Sequence, residues 1–362
     1  MKPKLLAFHL PQYHPIPEND EWWGTGFTEW RNVTQAQPLF PDHYQPHLPA
    51  DLGYYDLRLH EVRQQQADLA RQYGIDGFCY YHYWFTGKQL LERPVAEILR
   101  SGQPDFPFCL CWANENWTRR WDGRQRDVLI SQNYSTADDL AHIQALIPFF
   151  QDPRYIRVQN KPLFLVYRST ALPDSLATTT LWRKHAQASG LDGLYLVKTE
   201  SIPDERERTP EQDGFDAALD FQPDWGSLPT RRQPTLYWKL LNKLGMARPH
   251  PFRTNFVYNY PEVVAAMMAR PPVNYPRIPC ITPSWDNSAR RRNGEAIIYT
   301  NSTPEVYAHW LRSVLDDFPT LSRLPEPLVF INAWNEWAEG NHLEPDLRWG
   351  HAYLKATADM LA

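Results

Sequence analysis

The chain has 362 residues and a formal net charge of −5 with a pI near 6.2, so it presents no basic field for nucleic acid, and no polyanionic partner is expected. Aromatic residues reach 14%, with 15 Trp and 19 Tyr, and many stand in polar company, a combination that fits a carbohydrate cleft as well as a core or interface. No segment approaches 18 uninterrupted apolar residues, so no membrane-spanning helix is expected, and the apolar start is cut by His9 and Pro11 before it reaches signal-peptide length. Cys79, Cys109, Cys111 and Cys280 lie in apolar, strand-like runs and read as small buried hydrophobes of a reduced, cytosolic chain; oligomeric state is not legible.

In chain order, 5–10 reads as a first strand opening into a polar, aromatic loop that holds Tyr13, His14, Trp22, Trp23, Glu29 and Trp30. Asp56 is placed to cap a helix with Leu59, Val62, Leu69 and Tyr73 at three-and-four spacing, ended by Gly74. A second strand over 75–80 leads into the cluster Tyr81-His82-Tyr83-Trp84, a helix near 90–100, and a third strand over 106–113 that ends in Asn114-Glu115-Asn116-Trp117. Thr136 is expected to cap the next helix; strands follow at 162–167, 194–198 and 217–221, with a helix near 175–189. The Pro-rich span of about 227–276 reads as an insertion over the mouth of the fold, with one short helix near 261–269. The seventh strand, 278–283, ends in Trp285-Asp286-Asn287; Thr303-Pro304-Glu305 starts a helix; the eighth strand spans 328–333, and a helix near 349–360 closes the chain.

About eight alternations of strand and helix, with polar and aromatic residues after nearly every strand, predict a (β/α)8 barrel formed by one domain over 1–362. A doubly wound nucleotide-binding sheet would need a glycine-rich turn after the first strand, where this chain has Pro11-Gln12-Tyr13-His14.

The chemistry concentrates after the eighth strand. In Trp334-Asn335-Glu336-Trp337-Ala338-Glu339-Gly340, the two glutamates are three residues apart, and a helical or tight turn brings them to one side with Cβ atoms roughly 5–6 Å apart. Two acids between indoles suit glycosidic bond cleavage: one protonates the leaving oxygen, the other serves the anomeric carbon, and the indoles take the sugar's C–H face. A solvated surface turn would expose two Trp to no purpose. Glu336 and Glu339 are the catalytic candidates.

Around them, His9, Tyr13, Trp23, Tyr81, His82, Trp84, Asn114, Glu115, Trp117, Trp285, Trp334, Asn335 and Glu344 follow strand ends and are candidate sugar contacts, with Glu115, His82 and Trp285 expected to meet the acid pair at one face. Glu115 reads equally as a salt-bridge partner, and Trp22, Trp23 and Trp30 equally as plugs of a long loop. Arg119, Arg120 and the run Arg290-Arg291-Arg292 fit either an acidic sugar or a solvated face. No H-E-x-x-H or comparable close ligand spacing points to a metal, and no cofactor motif is present.

The segment from Asn335 to Glu344 resembles the N-E-W-x-E-G-x-x-x-E motif of glycoside hydrolase family 99, the retaining endo-α-1,2-mannosidases and mannanases. The whole chain is more similar still to the WbsX-type, family-99-like proteins, which occur with polysaccharide biosynthesis genes and often carry a glycosyltransferase label. That likeness runs through Phe8-His9-Leu10-Pro11-Gln12-Tyr13-His14, Trp22-Trp23-Gly24, Phe27-Thr28-Glu29-Trp30, Tyr80 to Trp84 and Trp112 to Trp117. The resemblance implies a cofactor-free enzyme acting within an oligo- or polysaccharide. It casts Glu339 as general acid/base and Glu336 as the base that activates the sugar's own 2-hydroxyl. A glycosyltransferase of polysaccharide or lipopolysaccharide assembly is the alternative, although no D-x-D motif is present; a non-catalytic glycan-binding barrel is the third, and would need neither glutamate.

Overall fold

The computed structural model describes residues 2–119, 124–234, 240, 243–244, 251–291, 294–318 and 323–361. Arg120 and Arg292, named above as possible anion contacts, lie outside the described residues. Eight strands form a closed parallel ring: β1 (Lys4–His9), β2 (Gly77–Phe85), β3 (Phe108–Trp112), β4 (Lys161–Val166), β5 (Tyr195–Thr199), β6 (Ala217–Asp220), β7 (Arg277–Ile281) and β8 (Leu328–Ile331). Each pairs with its successor, and β8 pairs with β1 to close the barrel. Closure removes every sheet edge, which is why such short strands are stable together.

Helices α1 (His60–Gln72), α2 (Arg93–Ser101), α3 (Thr136–Phe150), α4 (Ser175–Ala188), α5 (Tyr260–Met268), α6 (Pro304–Asp316) and α7 (Ala352–Leu361) connect the strands. Between β5 and β6 the connection holds only short 3-10 turns, Pro203–Arg206 and Glu211–Asp213. The caps follow the side-chain chemistry. Thr303 accepts the Val306 N–H ahead of Pro304, and Asp174 accepts the Ala177 N–H.

Several boundaries differ from the sequence reading. Asp56 does not cap α1: its carboxylate is turned to Arg58, and the helix starts four residues later. Ser135 rather than Thr136 caps α3, accepting the Asp138 N–H. The second strand does not stop at Tyr80 but runs through Trp84, then reverses at Thr86 and Gly87, both at positive φ, into an antiparallel pairing with Lys88–Leu90. The 227–276 span holds more than one short helix, since Phe256–Asn259 pairs in parallel with Ile297–Thr300.

That longer β2 decides which side chains reach the mouth of the barrel. Successive strand residues face opposite ways. Tyr81 packs on Phe8, which also meets Phe221 and Phe330 inside the barrel. His82 and Trp84, of the other parity, face the helical layer and pack on His142 of α3.

At the opposite end, Gly77 begins β2 where a Cβ would stand 2.8 Å from the Pro107 carbonyl oxygen, a backbone atom that cannot swing away. Gly77→Ala should therefore destabilise the protein by about 1–3 kcal/mol. Urea unfolding with a wild-type midpoint would show that the strand start has more slack than this.

Candidate active site

Immediately past β8 the chain builds a small hairpin. Asn335–Glu336 pairs antiparallel with Asn341–His342 across the single 3-10 turn Trp337–Glu339, and Gly340 leaves that turn at φ +55°. A Cβ at Gly340 would press on the Asp286 backbone at 3.2–3.3 Å, so the left-handed turn and the close approach both require glycine. The Asn335 carboxamide takes the place of a peptide group: its Oδ1 accepts the Leu10 N–H at 2.7 Å and its Nδ2 donates to the Leu10 carbonyl at 3.1 Å. In this way the β8–β1 pairing continues beyond the strand ends. Tyr13 donates its hydroxyl to the Asn335 carbonyl (2.8 Å) and accepts the Trp337 N–H (3.1 Å), which fixes the turn from the β1 side.

The turn delivers Glu336 and Glu339 to one guanidinium. Arg290, from the segment after β7, approaches Glu336 at 3.1 Å, Glu339 at 2.6 Å and Glu29, from the long loop after β1, at 3.0 Å. Glu29 is fully buried, and Arg290 and Glu336 nearly so; the Glu339 side chain is the most open of the four at 19%. Burial, opposed by Arg290 and reinforced by the charges of Glu339 and Glu29, pushes the Glu336 carboxyl up from 4.5 to about 8. Burial raises Glu339 as well, against the same guanidinium. The two acids thus titrate as a unit that keeps a proton near neutral pH.

Above this cluster opens a cavity of about 490 Å³. Of the residues singled out in the sequence, Trp22, Trp23, Tyr81, Glu115, Trp117, Trp285, Arg290, Arg291, Glu336 and Glu339 line it. Across from the acid pair, Glu115 meets Arg168 at 2.9 Å, and Arg168 also reaches Glu205 at 2.7 Å and Ser201 at 2.9 Å.

The other candidates stand behind the cavity wall. His9 faces α1 and meets Gln66 at 3.2 Å; Gln66 donates to Glu344 at 2.7 Å, and Glu344 accepts the Trp337 indole N–H at 2.7 Å and the Tyr55 hydroxyl at 2.8 Å. Burial raises Glu344 to about 7. Tyr13 and Asn335 hold the turn as described, and Trp334 is wholly buried against Phe78. Asn114 accepts the Arg168 N–H at 2.7 Å and so sets that arginine. His82 is 2.9 Å from His142, and Trp84 donates its indole N–H to Asp138; the expected convergence of His82 with the acid pair is corrected by strand parity.

Glu29, Gln12, Tyr83, Tyr167, Arg168 and Trp225 were not among the candidates, yet they bind the acid pair's cation or line the cavity. Glu29 had one available signal, an acid inside a run of Trp and Phe. Arg290 had none that separated it from its arginine neighbours.

Residues 5–357 match the profile of the family described as Glycosyltransferase WbsX. The chain belongs to the WbsX family. It is 45% identical over 361 residues to proteins named Uncharacterized protein WxcX from two strains of Xanthomonas campestris pv. campestris, covering 99% of this chain and 49% of theirs. This WbsX-family chain therefore spans about half the length of the curated relatives it matches. Among solved structures it is similar to a glycoside hydrolase-like protein, with a TM-score of 0.59 at 13% identity over 99% of this chain and 94% of the other. It is also similar to a family-99 endo-alpha-mannosidase from Bacteroides thetaiotaomicron, with a TM-score of 0.57 at 13% identity over 98% and 96%. At such identities the likeness is one of fold, and it agrees with the closed (β/α)8 barrel.

The raised Glu336 has a signed consequence for stability. Its folded pKa lies above the ordinary 4.5, so its contribution is fully present below that value and is lost as pH rises towards about 8. Glu336→Gln removes that loss. Relative to wild type, the variant's Tm should gain more at pH 8 than at pH 5; thermal melts with the same difference at both pH values would contradict the raised pKa.

Proposed function

We propose that this WbsX-family chain cleaves glycosidic bonds within an oligo- or polysaccharide with retention of configuration, using Glu336 and Glu339 as its acid pair. The observation that carries this reading is a pair of carboxylates, one buried and one half-buried, on one guanidinium at the floor of an aromatic cleft. One proton held on the pair leaves one acid and one base; in the free protein it rests with the more deeply buried Glu336, and the proposed route requires it on Glu339 once the leaving oxygen is bound there.

In the proposed route Glu336 takes the proton of the sugar 2-hydroxyl as O2 attacks the anomeric carbon. Glu339 protonates the departing oxygen. The glycosidic bond breaks, and a 1,2-anhydro sugar forms. Glu339, now a carboxylate, then deprotonates water, which attacks the anomeric carbon while O2 recovers its proton from Glu336. The more open position of Glu339 suits the group that meets the leaving oxygen and then water, and the deeper position of Glu336 suits one that serves the sugar's own hydroxyl. Trp23, Trp117, Trp225 and Trp285 offer flat faces for sugar C–H groups along the cleft.

A second reading, transfer from an activated sugar, has the family's description in its favour. The cleft chemistry weighs against a nucleotide diphosphate as donor. Arg290 is held by three carboxylates and Arg168 by two, so the charge a pyrophosphate would need from them is already neutralised.

Incubation with a panel of α-linked oligosaccharides and, separately, nucleotide sugars tests the two. New reducing ends are expected from the first set. Nucleotide release without hydrolysis would replace the hydrolase reading with the transferase one. On a cleaved substrate, Glu336→Gln and Glu339→Gln should each lower kcat by about 10²–10⁴ with little change in binding. A substrate methylated at the 2-hydroxyl should bind but not turn over; a covalent sugar ester trapped on Glu336 would instead establish direct attack by the carboxylate.

A further inference from the structure

Outside the cleft, on the far side of the acid turn, two histidines and an aspartate from distant parts of the chain face one another. His47 comes from the loop after β1, and His342 and Asp346 follow the turn; all three are buried. The His47 Nδ1 and His342 Nε2 atoms are 2.9 Å apart, and Asp346 Oδ2 lies 3.8 Å from His342 Nε2. The three ligand atoms fall within 4.8 Å of one another.

The hydrogen bonds set the ligand atoms. His342 Nδ1 is 2.9 Å from the Glu344 carbonyl oxygen, which can only accept, so Nδ1 carries the proton and Nε2 accepts the His47 Nδ1–H; a metal ion takes the place of that shared proton, which moves to the other nitrogen of His47. The Asp346 Oδ1 atom accepts the N–H groups of Arg348 and Trp349, and Tyr44 donates its hydroxyl to Oδ2, so the carboxylate is oriented before any ligand arrives. This is the outer support that metal-binding imidazoles and carboxylates characteristically have. A separate cavity of about 220 Å³, lined by His47, His342 and Asp346 together with Ser284, Ser302 and Tyr299, leaves room for a further ligand such as water.

We propose that His47, His342 and Asp346 bind one divalent transition-metal ion of the zinc class. Two imidazole nitrogens and one carboxylate oxygen are a borderline donor set that favours zinc over calcium or magnesium. With metal–nitrogen bonds of about 2.0–2.1 Å, the 2.9 Å spacing corresponds to an angle of about 90°; tetrahedral geometry requires that pair to open by a few tenths of an ångström and Asp346 to close in from 3.8 Å. The ion bridges the loop after β1 to the segment after β8. The His342 ring stacks on Trp337 at 3.8 Å between centroids and 16° between planes, and Trp337 lies between Glu336 and Glu339 in the turn. The metal therefore braces the acid turn from behind without touching substrate. The separation of His47 from His342 by 295 positions explains why no close ligand spacing appears in the sequence.

The test uses the full chain, stripped with a chelator and titrated with Zn²⁺ alone. One ion per chain should bind, Tm should rise on loading, and the zinc X-ray absorption spectrum should show two imidazole ligands plus oxygen. His47→Gln and His342→Gln should each weaken binding by about 100-fold or more and abolish the Tm rise, with circular dichroism confirming the fold. Wild-type protein that takes up no zinc at micromolar concentration overturns the proposal, as does a variant that binds as tightly as wild type. If a variant does not fold, the absorption spectrum of the wild type decides, and a site without two imidazoles refutes it.

Discussion

Two buried carboxylates a turn apart repel each other and resist ionisation, and the site exists because Arg290 is placed between them. At about 4 Å and an effective dielectric near 20, each charge pair is of the order of 4 kcal/mol, enough to offset part of the desolvation of four ionisable groups. The guanidinium is held by Glu29 from the loop after β1 as well as by Glu336 and Glu339. Strands β7, β8 and β1 are neighbours in the ring, so one cation ties together the loops that follow three adjacent strands. No single loop could be altered without moving the acids. The long excursion after β1, wasteful as a connector, is explained as the source of Glu29, Tyr13 and Tyr55.

Behind the acids lies a continuous polar layer: His9 to Gln66, Gln66 to Glu344, and Glu344 to both Tyr55 and Trp337. Each member is buried, so each must be bonded, and the bonds converge on the backbone and indole of the acid turn. The geometry of the acid pair is set by what stands behind it, because a carboxylate free to choose rotamers would collapse onto Arg290 in several ways.

The barrel was legible because its signal is long-range and repetitive: strand, polar end and, after every strand but β5, helix. The acid pair was legible because Glu336 and Glu339 sit in one short segment. The surroundings were less so, for a physical reason. A buried polar layer and a sugar-binding wall are made of the same residues, aromatic rings, amides and carboxylates, and composition alone does not separate them. In β2 all nine residues from Gly77 to Phe85 are buried, so only parity sends Tyr81 to the cleft and His82 to the helices, and parity depends on knowing that the strand continues to Phe85. Arg290 was hidden differently: beside Arg291 it reads as solvated charge, and only the fold reveals three carboxylates around it.

The family's description as a glycosyltransferase and this chain's fold-likeness to a family-99 endo-alpha-mannosidase are less opposed than the words suggest. In the proposed route the acid pair generates an activated sugar, and the outcome is fixed in the second half-reaction by whatever hydroxyl stands beside Glu339. Water gives hydrolysis; a sugar hydroxyl gives transfer, with the same two carboxylates in the same roles. The balance turns on how completely the occupied cleft excludes water. A cavity of about 490 Å³ walled by Trp23, Trp117, Trp225 and Trp285 opens above the acids, and in the proposed route an acceptor packed against those indoles would displace the water that competes with it. On the proposed route, the difference between a hydrolase and a transferase would therefore lie in the aromatic wall and not in the acid pair.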